Sequence, residues 1–405
     1  MKKISIYIAV TLLLISCKTK EKNPVTSQIL ASESFRLRQD LPVEIIDAHD
    51  FESLPLEDIN TKIKDIRYIP FFSKEPIGIF DKLVIYDNHV IVLDAFKSES
   101  IYIFDISGKL IHIIHSKGGG PEEYHGLMDI TISRKDTLIV IPDRLSLSML
   151  YYSLNGQFVK KTKAAPCFYL EMLGDKFVNQ TTFAQSYSLD IEHNYNLIIS
   201  SIDSVICKGF PYYPIQKEAI ISNALQYNYK EQLLFTPVLS DTIYQIINDS
   251  TYSAKYVVNQ KKSLWEKRKE YLTMQQVFNL IQHSNYTHLK PPILETKGFV
   301  SYQIAHEKNN MIASTTYWFD KARNKSFTPK EIPIDNKINI PNIIPRPMTI
   351  YNNHYVGIYL PHEVEEMITL SKNNMASFEN EELRNILKDK KNKSMEFLMV
   401  MYEFW

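Results

Sequence analysis

A six-bladed β-propeller of four-stranded antiparallel blades is the fold this sequence predicts, and three observations predict it. A strand-and-turn pattern recurs at a fixed offset of 48 residues between 83–114 and 131–162. Apolar residues make up 44% of the chain, with 25 Tyr and 20 Phe, a supply of strand-favouring aromatics that argues for a folded β body and against disorder. The chain closes on Phe397-Leu398-Met399-Val400-Met401-Tyr402-Glu403-Phe404-Trp405, too apolar to hang free in water.

The repeat is clearest in its first copy. Leu83-Val84-Ile85-Tyr86, a turn at Asp87-Asn88-His89, and Val90-Ile91-Val92-Leu93 read as two strands; Ile101-Tyr102-Ile103-Phe104 and Leu110-Ile111-His112-Ile113-Ile114, joined through Ser107-Gly108, read as two more. In the second copy Ile139-Val140-Ile141 falls on Ile91-Val92-Leu93, Met149-Leu150-Tyr151-Tyr152 on Ile101 to Phe104, and Asn155-Gly156 on Ser107-Gly108. Four strands at a period of about 40 to 50 residues are the mark of propeller blades. Degenerate copies follow. They comprise Phe168 to Thr182 with Tyr195 to Ile199 and Ser204 to Ile206; Leu233 to Phe235 with Asp241 to Ile247; Gly298 to Ile304 with Met311 to Thr316; and His354 to Tyr359. After two helical stretches are removed, roughly 310 residues remain from 42–405, room for six or seven units, of which six is adopted. The final apolar segment is expected to close the ring by pairing with a strand from the N-terminal region.

Two inserts interrupt the β pattern. Ser263-Leu264-Trp265-Glu266 is a capping-box sequence, and Leu264, Tyr271, Phe278 and Ile281 recur at helical spacing, so a helix is expected over about 261–283. A shorter one is expected at about 380–388, with Leu383, Ile386 and Leu387 on one side.

The N-terminus carries an address. Lys2 and Lys3 precede the short apolar run Ile4 to Ile15, which Lys18 and Lys20 cut off well before the ~20 residues a membrane span needs. Residues 1–16 read as a signal peptide, and Leu14-Ile15-Ser16-Cys17 resembles the bacterial lipobox, making Cys17 the lipidated first residue of the mature chain. Residues 17–41, polar and without period, read as a flexible tether to the ring at 42–405. Cys167 and Cys207 remain; a bridge is conceivable in an oxidising compartment, but two buried unpaired thiols are the favoured reading.

Taken together, the lipobox, Ile101 to Gly108, Lys117-Gly118-Gly119-Gly120-Pro121-Glu122-Glu123-Tyr124 and Asp241-Thr242-Ile243-Tyr244 resemble the six-bladed β-propeller lipoproteins of Bacteroidota, which are similar to NHL-repeat propellers. One departure is that Glu122 stands where the usual Gly-Pro-Gly-Glu-aromatic loop has its second glycine, which would strain a turn needing positive φ there. The resemblance implies fold and a cell-envelope, outer-membrane location; it carries over no reaction.

Chemistry is sparse. Lys plus Arg and Asp plus Glu both count 46, so no general field favours nucleic acid. The Gly118 to Gly120 loop lacks the Lys-Ser/Thr pair and following helix of a phosphate-binding loop and reads as a blade connection. His115, Glu122 and His125 are weak metal candidates across that loop; His112 and His115 face opposite sides of a strand, and ordinary loop residues are the favoured reading. His283 and His288 read as surface residues. Asp94, Asp129, Asp143 and Asp241 sit near strand ends, where Asp commonly makes turn hydrogen bonds. No catalytic residue and no cofactor are assigned. The expected role is a monomeric, membrane-anchored, non-catalytic binding or scaffolding module for a glycan, a peptide or an envelope protein. The alternative is a metal-dependent hydrolase or lyase with its site in the channel.

Overall fold

Strands whose two faces are both apolar must be covered on both sides, and a ring of sheets standing face to face does this. In the computed structural model, described for residues 32–165, 167–182, 195–217, 222–330, 344–360, 362–365, 381–388 and 395–405, six sheets form such a propeller. Blade 1 is the meander Lys82–Tyr86, His89–Asp94, Ser100–Asp105 and Leu110–Ile114. Blade 2 is Thr131–Ser133, Leu138–Asp143, Ser148–Ser153 and Phe158–Lys163. Blades 3, 4 and 5 occupy 169–211, 225–259 and 288–329. Blade 6 is composite: Pro347–Tyr351, His354–Tyr359 and Phe397–Phe404 are completed by Ile63–Phe71 as the outermost strand.

Alternation along each strand sends successive side chains to opposite neighbours. In blade 1, Ile91, Leu93, Ile101 and Ile103 pack with Ile139, Ile141, Leu150 and Tyr152 of blade 2. Their neighbours Val90, Val92, Tyr102 and Phe104 pack with Phe71, Val356, Phe397 and Met399 of blade 6. Similar cores lie between blades 2 and 3, 3 and 4, 4 and 5, and 5 and 6. A β-bulge recurs between the third and fourth strands, at Ile103/Phe104, Tyr151/Tyr152, Ile199/Ser200 and Ile243/Tyr244. Each adds local twist, which suits a propeller blade. The turn that follows needs glycine for two reasons. Gly108 has φ +92° and Gly156 has φ +78°, and a Cβ would lie 2.1 Å from the Pro70 carbonyl oxygen at the first and 1.9 Å from His112 Cδ2 at the second. The fourth-strand turn of each of these blades thus presses on the outer strand of the blade before it.

The expected tether is shortened by the structure. Residues 33–54 run as a strap along the outer edges of three blades: Glu33–Ser34 pairs in parallel with blade 3, Arg36–Arg38 and Glu44–Asp47 with blade 4, and Phe51–Leu54 with blade 5. A helix at Leu56–Lys62 then leads into Ile63–Phe71. Phe35 anchors the strap, stacked on Tyr252 at 5.2 Å, in space left by Gly209. The strap satisfies the free backbone groups of three edges. Cys17 and the signal segment lie outside the described residues.

The expected helix over 261–283 is divided. Ser263 caps only the short turn Leu264–Lys267, and the α-helix Met274–Ser284 starts afresh at Thr273, whose side chain forms a capping box with Gln276. Leu264, Val277 and Ile281 are buried in a satellite core, whereas Tyr271 in the break is 60% exposed. A second helix, Glu381–Lys388, buries Leu383 against the core between blades 5 and 6.

Closure rests on Phe397–Phe404, which pairs antiparallel with Ile63–Phe71 on one side and with Tyr355–Tyr359 on the other. Phe397 stacks on Phe71 at 4.4 Å and meets Phe80 edge-on at 4.9 Å. Burying one such side chain is worth about 1.5–3 kcal/mol, so losing several approaches the whole stability of a domain, about 5–15 kcal/mol. Deleting residues 397–405 is expected to abolish the cooperative thermal transition; calorimetry of the truncated chain beside the full-length protein checks this.

Candidate functional site

The first strands of the blades run in the same sense and line the central channel, so the turns that follow them ring one mouth. There Tyr86, Asp87, Arg134, Tyr227, Asn228, Glu231, Asn352 and Asn353 surround a cavity of ≈ 250 Å³. Arg134 bridges the opening: its guanidinium lies 4.7 Å from the Tyr227 ring and 5.8 Å from the Tyr86 ring, and it is paired with the Glu231 carboxylate. The Tyr86 hydroxyl donates to the Arg134 carbonyl oxygen at 3.2 Å. Glu231 is 70% exposed and Arg134 39%, so this pair is open to competition from a ligand.

Deeper in the channel sits a buried charge cluster. Lys82 Nζ lies 3.0 Å from Asp129 Oδ1 and 2.9 Å from Glu171 Oε1, and donates to the Ile130 carbonyl at 2.7 Å. Thr131 Oγ1 donates to Glu171 Oε2 at 2.5 Å, and the Leu170 amide donates to Asp129 Oδ2 at 2.7 Å. Burial, opposed by Lys82 and reinforced by Glu171, pushes the Asp129 carboxyl up to about 6. Burial works against the Lys82 ammonium too, but the two carboxylates outweigh it and raise its pKa. The ammonium is therefore the fixed charge, and Asp129 is the group of the cluster whose proton affinity the fold raises toward neutrality. These groups knit blades 1, 2 and 3 together.

A second cluster holds the Asn228–Glu231 turn. The Glu295 carboxylate accepts from Lys321 Nζ at 2.8 Å and the Tyr256 hydroxyl at 2.7 Å on one oxygen, and from Lys255 Nζ at 2.7 Å and Asn228 Nδ2 at 2.9 Å on the other. Asn228 Oδ1 accepts from the Lys230 and Gln232 amides, both at 2.9 Å, which shapes the turn that carries Glu231 to the mouth. Burial alone would raise the Glu295 carboxyl, but Lys255 and Lys321 override it and hold it at about 2.

The residues singled out in the sequence fall elsewhere, apart from Asp129. Asp94 accepts from the Gly78 amide at 2.8 Å and Asp143 from the His125 amide at 3.3 Å, so each ties the end of its blade's second strand to the segment entering the blade. Asp241 accepts from Gln260 and Ser263, both at 2.6 Å, and burial pushes it up to about 6. His115 Nδ1 is 2.9 Å from Ser100 Oγ, His125 Nδ1 is 2.8 Å from Asp143 Oδ2, and the Glu122 carbonyl accepts from the Tyr152 hydroxyl at 2.5 Å. Among the described residues no three His, Cys, Asp or Glu side chains are grouped to hold a metal ion, so His115, Glu122 and His125 are not brought together. Their loop connects blades 1 and 2, pinned by the buried Tyr124, whose hydroxyl donates to the Glu99 carbonyl at 2.8 Å. Glu122 is not among the residues with positive φ, so the missing glycine causes no strain there. Cys167 and Cys207 are both buried and not bonded to each other; they lie in different interblade cores. Lys82, Glu171, Glu295, Lys255, Lys321, Arg134 and Glu231 went unread. Their one sequence signal is a charge at the rim of, or inside, an apolar strand, as in Tyr169-Leu170-Glu171-Met172-Leu173.

The family described as a domain of unknown function, DUF4934, matches residues 43–401, and the chain belongs to it. No curated protein matches the chain. Among solved structures, a protein of Bacteroides fragilis described as exported is similar over 90% of this chain and 100% of its own, at TM-score 0.65 and 15% identity. A member of the DUF4221 family from Bacteroides vulgatus is similar over 85% of this chain and 97% of its own, at TM-score 0.50 and 11% identity. These likenesses show the fold. No helix of the described residues is long and apolar enough to cross a membrane.

The Glu295 cluster makes a pH-dependent contribution with a definite sign. Its carboxyl falls from an ordinary 4.5 to about 2 on folding, so the stabilisation is fully present above 4.5 and disappears as pH falls toward 2. At about 1.4 kcal/mol per pKa unit this amounts to about 3 kcal/mol. Glu295→Gln is expected to be less stable than the wild type by about that amount at neutral pH, with the difference vanishing near pH 2; urea denaturation across this range measures it.

Proposed function

We propose that this member of the DUF4934 family is a lipid-anchored envelope β-propeller that acts as a non-catalytic binding module, taking the end of a glycan at the mouth closed by Arg134 and Glu231. The observation that carries this reading is the mouth itself. An exposed ion pair between two tyrosine rings, flanked by Asn352 and Asn353, stands over a cavity of ≈ 250 Å³. That volume is just below the ~300–1,000 Å³ of sites for drug-sized ligands, so it suits one sugar ring or one peptide side chain entering from solvent. Tyrosine faces offer stacking surface, and the Asn352 amide and the ion pair offer hydrogen-bond donors and acceptors to hydroxyls, while Asn353 is held by the Lys297 amide and Glu403. The buried acids do not compete for this role. Asp129 and Glu171 are committed to Lys82, Thr131 and the Leu170 amide, and Glu295 to four donors, which makes them supports for the mouth rather than free acids or bases.

The lipobox at Cys17, the short apolar run before it and the likeness to a protein described as exported support anchorage in the cell envelope, at the outer membrane. The chain's balanced charge supports a partner other than nucleic acid, and the ring's self-closure supports a monomer. The partners proposed are the membrane, through the lipid, and a glycan or an envelope protein carrying one.

Two outcomes test this. Replacing Cys17 with Ser is expected to move the protein from the membrane to the soluble fraction; retention in the membrane pellet overturns the anchor. Titration of purified protein with envelope oligosaccharides, followed by calorimetry, is expected to show saturable binding weakened at least tenfold by Arg134→Ala and by Glu231→Gln. Binding untouched by both variants places the ligand elsewhere.

A further inference from the structure

The opposite mouth, where the first strands enter the channel, carries a charge arrangement of a different kind. Lys290 lies near the start of His288–Glu295, the inner strand of blade 5, and Arg346 immediately precedes Pro347–Tyr351, the inner strand of blade 6. Lys290 is the register partner of Gln303, and Gln303 of Thr316, so these side chains share the face of blade 5 that looks toward blade 6. On that face Lys290 Nζ donates to Ser314 Oγ at 3.1 Å. The amide of Gln303, itself only 2% exposed, lies against Arg346, and with its oxygen assigned to that side it accepts from Arg346 Nε at 2.9 Å and Nη2 at 3.3 Å. Gly357 lets the Arg346 backbone sit there, since a Cβ on Gly357 would lie 2.5 Å from the Arg346 carbonyl oxygen.

Among the described residues Lys290 and Arg346 make no ion pair, whereas Lys82, Lys255 and Lys321 are each neutralised by Asp129, Glu171 or Glu295. Burial, together with Arg346 nearby, lowers the pKa of Lys290, and burial lowers that of Arg346, the direction expected where positive charge lacks a counter-ion. Gln303 takes up Nε and one Nη2 bond, leaving the outer edge of the guanidinium free. Lys290 keeps two N–H groups and Ser314 its hydroxyl proton. Six N–H and O–H groups thus remain on Arg346, Lys290 and Ser314 beside two positive charges that, among the described residues, no carboxylate pairs.

We propose that Lys290, Arg346 and Ser314 form an oxyanion-binding site, taking the carboxylate of a uronic acid or the sulfate group of an anionic saccharide. Guanidinium and ammonium together suit either group: the outer edge of Arg346 meets two oxygens, and Lys290 and Ser314 meet a third or share one. The site is independent of the mouth closed by Arg134 and Glu231 and stands if that reading fails.

The test is a titration of the detergent-solubilised full-length protein with sodium glucuronate, sodium sulfate and, as the ionic-strength control, sodium chloride, read by thermal shift and calorimetry. Saturable binding of glucuronate or sulfate is expected, raising the melting temperature beyond the chloride control. Arg346→Ala and Lys290→Met are each expected to weaken it at least tenfold, and Lys290→Arg to retain it. Glucuronate binding without sulfate binding assigns a carboxylate ligand, and the reverse a sulfated one. A response to both salts indistinguishable from chloride, or saturable binding that survives in the double variant Arg346→Ala/Lys290→Met with unchanged circular dichroism, overturns the site.

Discussion

Two-faced burial of every blade is the constraint on which the rest of this structure depends. A strand such as His89–Asp94 is buried from Val90 to Asp94, and its alternate residues belong to different interfaces, one set facing blade 6 and the other blade 2. No blade can be stable alone, because removing either neighbour exposes a full apolar face. Stability is consequently a property of the closed circle, and the seam has to be as good as any other interface. The seam here is made by pairing the last strand of the chain with a strand near its beginning, and aromatic residues from both ends meet across it.

Close to the axis the same logic runs out. Inner strands converge on the channel, where charged groups such as Lys82, Glu171 and Glu295 take the place of apolar ones. Their arrangement follows from the cost of leaving a buried charge unpaired, several kcal/mol for each ion. Lys82 is surrounded by two carboxylates and a carbonyl, and Glu295 by two ammoniums, a phenol and an amide. Both clusters join residues of different blades, so they fix blade positions as well as charges. The Glu295 cluster also sets the turn that brings Glu231 to the channel mouth, which links the packing of blades 4 and 5 to the geometry of the opening.

The two mouths differ in what they offer a ligand. One presents a neutral pair, Arg134 with Glu231, between aromatic rings, a surface suited to uncharged hydroxyl-bearing groups. The other presents Lys290 and Arg346, which make no ion pair among the described residues.

The amino-acid sequence by itself determined the blade pattern, because the information is local. Strand type, the turn at Ser107-Gly108 and its copy at Asn155-Gly156 are written in adjacent residues, and the 48-residue offset follows from them. The closing role of Phe397–Phe404 was legible for the same reason: a long apolar terminus has to be covered. The strap at 33–54 was not legible, since its pieces are two to four residues long and largely exposed, and they become strands only through backbone pairing with edges more than 170 residues away. Helix placement differs from expectation at Ser263 because two capping signals lie ten residues apart: Ser263 caps only the turn Leu264–Lys267, and Thr273 caps the α-helix. The channel was decided by tertiary structure alone. Lys82 meets Asp129 across 47 residues and Glu171 across 89, and Glu295 meets Lys255 across 40. Charge pairing at such separations leaves no periodicity in a sequence; it exists only once the ring brings the inner strands of different blades to a common axis.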